Sequence, residues 1–213
     1  MKIKVCGITN IEEALALSKA GVNYIGFIFY PASKRYVLDK LTLAQLKNLK
    51  MPGVGKVGVF VNEPLDQVIA TATAAGLDMV QLHGDETPNY CKEMANHFPV
   101  IKAFRVSTSD EVSYKISEFI EEVDYLLFDT ASSVYGGSGI SFDWSKLANA
   151  TQQKPYFLSG GIGPDDASKI SSFVKSTTAG NCIAVDLNSK FEVAPGQKNI
   201  ELLQSFIPTI KAL

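Results

Sequence analysis

The stretch KVGVFVNEPLDQVIATATAAGLDMVQLHGDE, residues 56–86, reads as one strand–helix–strand unit. KVGVFV (56–61) and MVQL (79–82) are short, nearly continuous apolar runs, the pattern of strands buried on both faces of a parallel sheet. Between them Leu65, Val68, Ile69 and Ala72 fall at i, i+3, i+4 and i+7, which lays one apolar stripe along a helix. Gly76 then stands where a helix closes through a left-handed residue. Outward from this unit the alternation continues to both ends of the chain. IKVC (3–6), YIGFIF (24–29), VIKAF (100–104), YLLF (125–128), YFLS (156–159) and IAVD (183–186) complete a set of eight runs. Helical stripes recur at Cys91, Met94, Ala95 and Phe98, at Val112, Ile116, Phe119 and Ile120, and at Leu203, Phe206, Ile207 and Ile210.

Helix ends carry their own signals. Asn10 with Glu13 forms a candidate capping box. Thr87-Pro88 and Gly163-Pro164 read as N-cap and first-turn pairs, and Gly21 as a C-terminal stop. Trp144–Asn149, before the seventh run, allows two helical turns at most. There is no linker, repeat or low-complexity segment, so residues 1–213 are expected to form a single α/β domain, a (β/α)8 TIM barrel. An open doubly wound sheet usually has five or six strands, which fits eight units less well, although spacing alone does not decide between them.

Composition narrows the classes. Of the 213 residues 46% are hydrophobic and 20% charged, an ordinary globular balance. With a formal net charge of −2 and no Lys/Arg cluster, the chain offers no basic stripe for nucleic acid. No apolar run is long enough to span a membrane, and MKIKVCGITN lacks a secretory h-region, so a cytoplasmic location is expected. Cys6, Cys91 and Cys182 are odd in number and far apart, which suits a reducing compartment and supplies neither a disulfide framework nor a C-x-x-C pair. With His83 and His97 the only histidines, no His-based metal site is expected.

In a barrel of this kind chemistry sits at the C-terminal ends of the strands. Those ends read Cys6, Tyr30, Asn62, His83, Arg105, Asp129, Gly160 and Asp186. Taken singly, each has a plain structural reading. Cys6 suits a small buried hydrophobe, Asp129 a turn-bonding carboxylate and Asp186 an N-cap. His83 suits a hydrogen-bonded structural ring, and Arg35 a solvated loop charge. Gly160-Gly161 after the seventh run and Asn188-Ser189 after the eighth stand where many barrels hold a phosphate on backbone N–H groups. Gly136, Gly137 and Gly139, after the sixth run, suggest a loop that covers substrate.

Taken together and in order, these motifs resemble the phosphoribosylanthranilate isomerase family. The resemblance rests on KVCGITN (4–10), GFIFYPASKRYV (26–37), VGVFVNE (57–63), VQLHGDE (80–86), LLFDT (126–130), GGSG with FDW (136–144), LSGGI (158–162) and VDLNS (185–189). It covers essentially the whole chain. It implies an Amadori rearrangement of N-(5-phosphoribosyl)anthranilate to 1-(2-carboxyphenylamino)-1-deoxyribulose 5-phosphate, a step of tryptophan biosynthesis. It places the general base on Cys6 and the general acid on Asp129. It also places the anthranilate-carboxylate contact on Arg35, substrate contacts on His83 and Asp186, and the phosphate loops on Gly160, Gly161, Asn188 and Ser189. One departure stands out: after Asn188-Ser189 the family usually has glycine then Val-Glu, and here the run is Lys190-Phe191-Glu192.

The implied chemistry needs no redox partner. A carboxylic acid protonates the ring oxygen, the ring opens to an iminium, and a base removes the acidified C2 proton. The iminium is its own electron sink, so no metal or organic cofactor is expected. A thiol is a poor base unless ionised, and a rim position near anion-binding N–H groups is expected to favour the Cys6 thiolate. The expected partner is the small phosphorylated substrate, with no nucleic acid and no membrane, and the protein is expected to be a monomer or homodimer. Two other classes compete: a different sugar-phosphate isomerase or epimerase on the same fold, and a non-catalytic barrel that binds a phosphorylated metabolite or a protein. Neither has need of Cys6, Asp129 and Arg35 together.

Overall fold

The structure, a computed structural model, describes residues 1–106, 116–130, 144–147 and 154–213. Eight parallel strands close into a barrel: β1 (Lys2–Val5), β2 (Tyr24–Ile28), β3 (Gly55–Phe60), β4 (Met79–Leu82), β5 (Val100–Val106), β6 (Tyr125–Thr130), β7 (Tyr156–Leu158) and β8 (Cys182–Leu187). Closure is made by β1 on β8, with Lys4 opposite Asp186. The closed order excludes the open doubly wound sheet. All eight predicted runs are strands, their ends displaced by no more than two residues.

The described helices are α1 (Ile11–Ala20), α2 (Leu43–Asn48), α3 (Leu65–Ala75), α4 (Pro88–Ala95), α5 (Ala167–Val174) and α6 (Ile200–Lys211). Outward-facing strand residues such as Ile3, Val5, Val80, Leu82, Leu126 and Phe128 pack against the helix stripes in one continuous core. A second cluster fills the barrel interior: Val57, Met79, Ile101, Ala103, Leu127, Phe157 and Ala184. Because strand side chains alternate, the residues two places further on face the same interior nearer the mouth. That step carries Leu127 to Asp129, Ala184 to Asp186, and Met79 to Gln81 and then His83.

The caps follow local chemistry. The Asn10 side chain accepts from the N–H groups of Glu12 and Glu13, at 2.7 and 3.2 Å. The expected reciprocal half of that box is absent, because the Glu13 carboxylate instead accepts from Lys198 N. A complete box forms at Thr42 and Gln45, ahead of a six-residue helix too short to show periodicity in the sequence. Thr87 caps α4 with Pro88 in its first turn. Gly21 and Gly76 end α1 and α3 in the left-handed region. Gly163 caps and Pro164 opens a 3-10 turn, Pro164–Asp166, and α5 starts only at Ala167. Trp144–Leu147 is a single 3-10 turn. Beyond β8 the chain makes another 3-10 turn, Ser189–Phe191, and a small hairpin of β9 (Glu192–Ala194) and β10 (Gln197–Lys198), which the sequence reading did not foresee. Val112 and the glycines of 136–139 lie outside the described residues.

Candidate active site

A cavity of about 740 Å³, open to solvent, occupies the mouth at the C-terminal ends of the strands. Cys6, Tyr30, His83, Asp129, Gly160 and Asp186, six of the eight predicted strand-end residues, line it, and so do Gly161, Asn188 and Ser189. Asn62 and Arg105 do not. Asn62 holds left-handed backbone and its side-chain oxygen accepts from Asp85 N, while Arg105 reaches Asp85 at 3.1 Å.

Cys6 follows β1 and is 5% exposed. Its neighbour across the sheet is Gly26, where a Cβ would stand only 2.7 Å from the Cys6 sulfur. Burial pushes the thiol above its ordinary range, and Lys4 and Lys198 pull against that without overcoming it. This corrects the expectation of a rim position favouring the thiolate: the sulfur sits under the rim, out of water, and burial penalises the charged form. Beneath it the fully buried Lys4 donates to Asp186 Oδ2 at 2.8 Å. Burial works against the Lys4 ammonium, but Asp186 and Cys6 hold its pKa above the ordinary value. Burial raises the carboxyl of Asp186 despite Lys4. Asp186 is a strand residue, not an N-cap, and its Oδ1 is buried with no hydrogen-bond partner among the described residues.

On the opposite wall His83 Nε2 lies 3.4 Å from Asp129 Oδ2. His83 Nδ1 lies 2.8 Å from Gln81 Nε2. Behind them Glu86 accepts from the N–H groups of Asn62 and Gly84 and pairs with the buried Lys102 at 2.6 Å. That clasp orders the loop carrying His83.

Arg35 is not a solvated loop charge. It lies just outside the cavity lining, its stem over Gly7, and its Nε and Nη2 fork onto Glu192, with Nη2 at 2.6 Å. Burial pushes Glu192 up, but Arg35 and Lys198 outweigh it and hold the carboxyl below its ordinary value. Lys198 Nζ donates both to Glu192 at 2.7 Å and to Asn188 Oδ1 at 2.8 Å. One ionic cluster therefore ties Arg35 to the loop after β8.

Gly160 and Gly161 both hold positive φ, +92° and +65°, which turns their backbone as a side-chain-bearing residue rarely could. Ser189 opens the 3-10 turn on the adjacent loop. Lys190 does not hold positive φ and is exposed, so the departure from glycine there carries no left-handed strain. Lys4, Gln81, Glu192 and Lys198 escaped the sequence reading. Polar residues inside otherwise apolar strands, Lys4 in IKVC and Gln81 in MVQL, were the signal available.

Residues 3–209 match the family described as N-(5'phosphoribosyl)anthranilate (PRA) isomerase. The chain belongs to the phosphoribosylanthranilate isomerase family. It is 42% identical to the N-(5'-phosphoribosyl)anthranilate isomerase of Parabacteroides distasonis, over 99% of this chain and 93% of that protein. The crystal structure of the Thermotoga maritima phosphoribosyl anthranilate isomerase is 34% identical and superimposes with a TM-score of 0.86 over all of both chains. A phosphoribosyl anthranilate isomerase crystallised with reduced 1-(o-carboxyphenylamino)-1-deoxyribulose 5-phosphate is 32% identical, with a TM-score of 0.82 and full coverage of both chains. No described helix is long and apolar enough to cross a membrane.

Proposed function

We propose that this chain converts N-(5-phosphoribosyl)anthranilate to 1-(2-carboxyphenylamino)-1-deoxyribulose 5-phosphate, with Cys6 as base and Asp129 as acid. The observation that carries this reading is that Cys6 and Asp129 line one cavity, together with Gly160-Gly161 and Asn188-Ser189. A phosphate held by the backbone N–H groups of those two loops anchors one end of the substrate, and binding energy there orients the sugar between acid and base. Asp129 protonates the ring oxygen as its bond to C1 breaks. The anthranilate nitrogen supplies electrons and becomes an iminium. Cys6, as thiolate, removes the C2 proton, and the electron pair of that bond quenches the iminium to an enolamine. Tautomerisation gives the ketone, with C1 gaining a proton and the C2 hydroxyl losing one. The atoms of substrate and product are the same, so no oxidant or reductant enters.

The partnerless Oδ1 of Asp186 suits the substrate's amine N–H as its donor. Arg35 is the cation for the anthranilate carboxylate, since Nη1 is outside its fork on Glu192. Loss of the fluorescence of freshly made phosphoribosylanthranilate measures turnover directly. Cys6→Ala and Asp129→Asn are each expected to reduce kcat by roughly a hundredfold to ten-thousandfold. Near-normal kcat in either variant, with an unchanged circular dichroism spectrum, sinks the assignment of that residue.

A further inference from the structure

Gln81 faces the barrel interior from β4 and is 1% exposed. Its Nε2 lies 2.8 Å from His83 Nδ1, and His83 Nε2 lies 3.4 Å from Asp129 Oδ2, so the three side chains form a line from β4 to β6. A neutral imidazole has one donor nitrogen and one acceptor. The end of the Gln81 amide that meets Nδ1 therefore sets the polarity of the whole line. With the NH2 donating to Nδ1, the ring hydrogen sits on Nε2, the nitrogen 3.4 Å from Asp129 Oδ2. The other amide end, Oε1, is buried without a partner among the described residues. Reversing the amide would strand two donors there instead of one acceptor, which favours the orientation described. An orphaned buried acceptor is costly, and an apolar residue at position 81 would avoid it. A polar side chain kept there at that cost points to a role at the mouth.

We propose that Gln81 is a positioning residue that fixes the Nε2–H tautomer of His83 and thereby aims the acid proton of Asp129 at the substrate. The proposal rests on Asp129 being the acid. An N–H beside Oδ2 stabilises the carboxylate that forms as the acid proton leaves. In the other tautomer Nε2 offers a lone pair to Asp129 and draws that proton away from the sugar. Asp186 is a further charged group in electrostatic contact with both Asp129 and His83. The His83 backbone is held separately, by its N–H on Phe60 O at 2.9 Å and by the Glu86 clasp on the next residue, so loss of the amide leaves the loop in place.

The chain has two histidines, and His97 is exposed, so 15N-histidine spectra of the ligand-free protein are simple to assign with His97→Asn. The wild type is expected to show the Nε2–H tautomer at His83. Gln81→Met is expected to mix the tautomers, and Gln81→Glu, whose carboxylate accepts from Nδ1–H, to invert them. Gln81→Met should lower kcat roughly tenfold or more with little change in KM, on the scale of other lost orienting partners. Gln81→Met combined with His83→Asn should be no slower than His83→Asn alone, because Gln81 acts through the ring. An unchanged tautomer in both Gln81 variants, or kcat losses that multiply in the double variant, overturns the proposal. Normal turnover in Asp129→Asn overturns the acid reading and the catalytic half of the proposal with it. The spectra need no substrate and decide the hold of Gln81 on His83 independently.

Discussion

Cys6 is buried among charges that act on it in opposite senses. Burial and Asp186 raise its pKa, while Lys4 and Lys198 lower it. The net direction is upward, so the thiol of the folded, ligand-free protein carries its proton at neutral pH. Alkylation of Cys6 by iodoacetamide, followed by peptide mass mapping, is therefore expected to be slower than that of a free thiol at pH 7 and to accelerate as pH rises through the raised value. The rise of kcat/KM with pH should follow the same group. Lys4→Met removes a cation that favours the thiolate and should displace that rise to higher pH; a profile superimposable on the wild type would show that Lys4 does not tune the base. The space around the sulfur is as tightly set as its charge. A Cβ at Gly26 would also meet the Cα and Cβ of Cys6, at 3.1 and 3.2 Å. Part of that clash is with backbone, so Gly26→Ala must displace Cys6 and not merely rotate it. Turnover is expected to collapse in Gly26→Ala, and normal kcat would show that the base tolerates movement.

At the scale of an element, the loop from β4 to α4 is a built support for His83. Glu86 gathers the N–H groups of Asn62 and Gly84 and the ammonium of Lys102, which also donates to Gly84 O at 2.8 Å. Both members of the pair are nearly out of water. Breaking such a pair from one side leaves an uncompensated buried charge, which costs about 3–5 kcal/mol. Lys102→Met should show a loss of that order in urea unfolding and also a lower kcat, because His83 loses its support. Lys102→Met with Glu86→Gln should recover part of the stability. A single variant within 1 kcal/mol of wild type, roughly the range of exposed pairs, would mean that the clasp is solvated in solution.

Across the whole molecule the two ends of the chain close the barrel on each other. β1 pairs with β8, α6 packs on α1 and β1, and Lys198 N donates to Glu13. Phe206 of α6 is buried in the same core as Trp144, the single tryptophan, which lies between β6 and β7. Phe206→Ala should destabilise by about 3–5 kcal/mol. If the barrel unfolds as one unit, the shift read by Trp144 fluorescence will equal that read by circular dichroism. Separate transitions for the two probes would show that the C-terminal helix unfolds on its own.

The amino-acid order by itself determined the periodic features and the residues at their ends. Eight short apolar runs and the stripes between them are local consequences of side-chain direction, so the repeated β/α alternation could be read from spacing, as could Thr87-Pro88, Gly21 and Gly76 at the helix ends, while closure of the sheet into a barrel could not. The rule that chemistry gathers at strand C-termini then selected Cys6, His83, Asp129 and Asp186, and the cavity brings them together. Tertiary structure alone decided which charge meets which. Lys4 and Asp186 are separated by 182 positions and Arg35 and Glu192 by 157, and each pair is joined only when strand tilt and closure bring those elements side by side. The same closure buries Cys6 and turns a thiol expected to favour its anion into one held protonated. It also leaves Asp186 Oδ1 and Gln81 Oε1 without partners among the described residues. Spacing along a chain reports which face a side chain occupies; desolvation and ionic partnership depend on what stands across that face, and only the closed barrel supplies it.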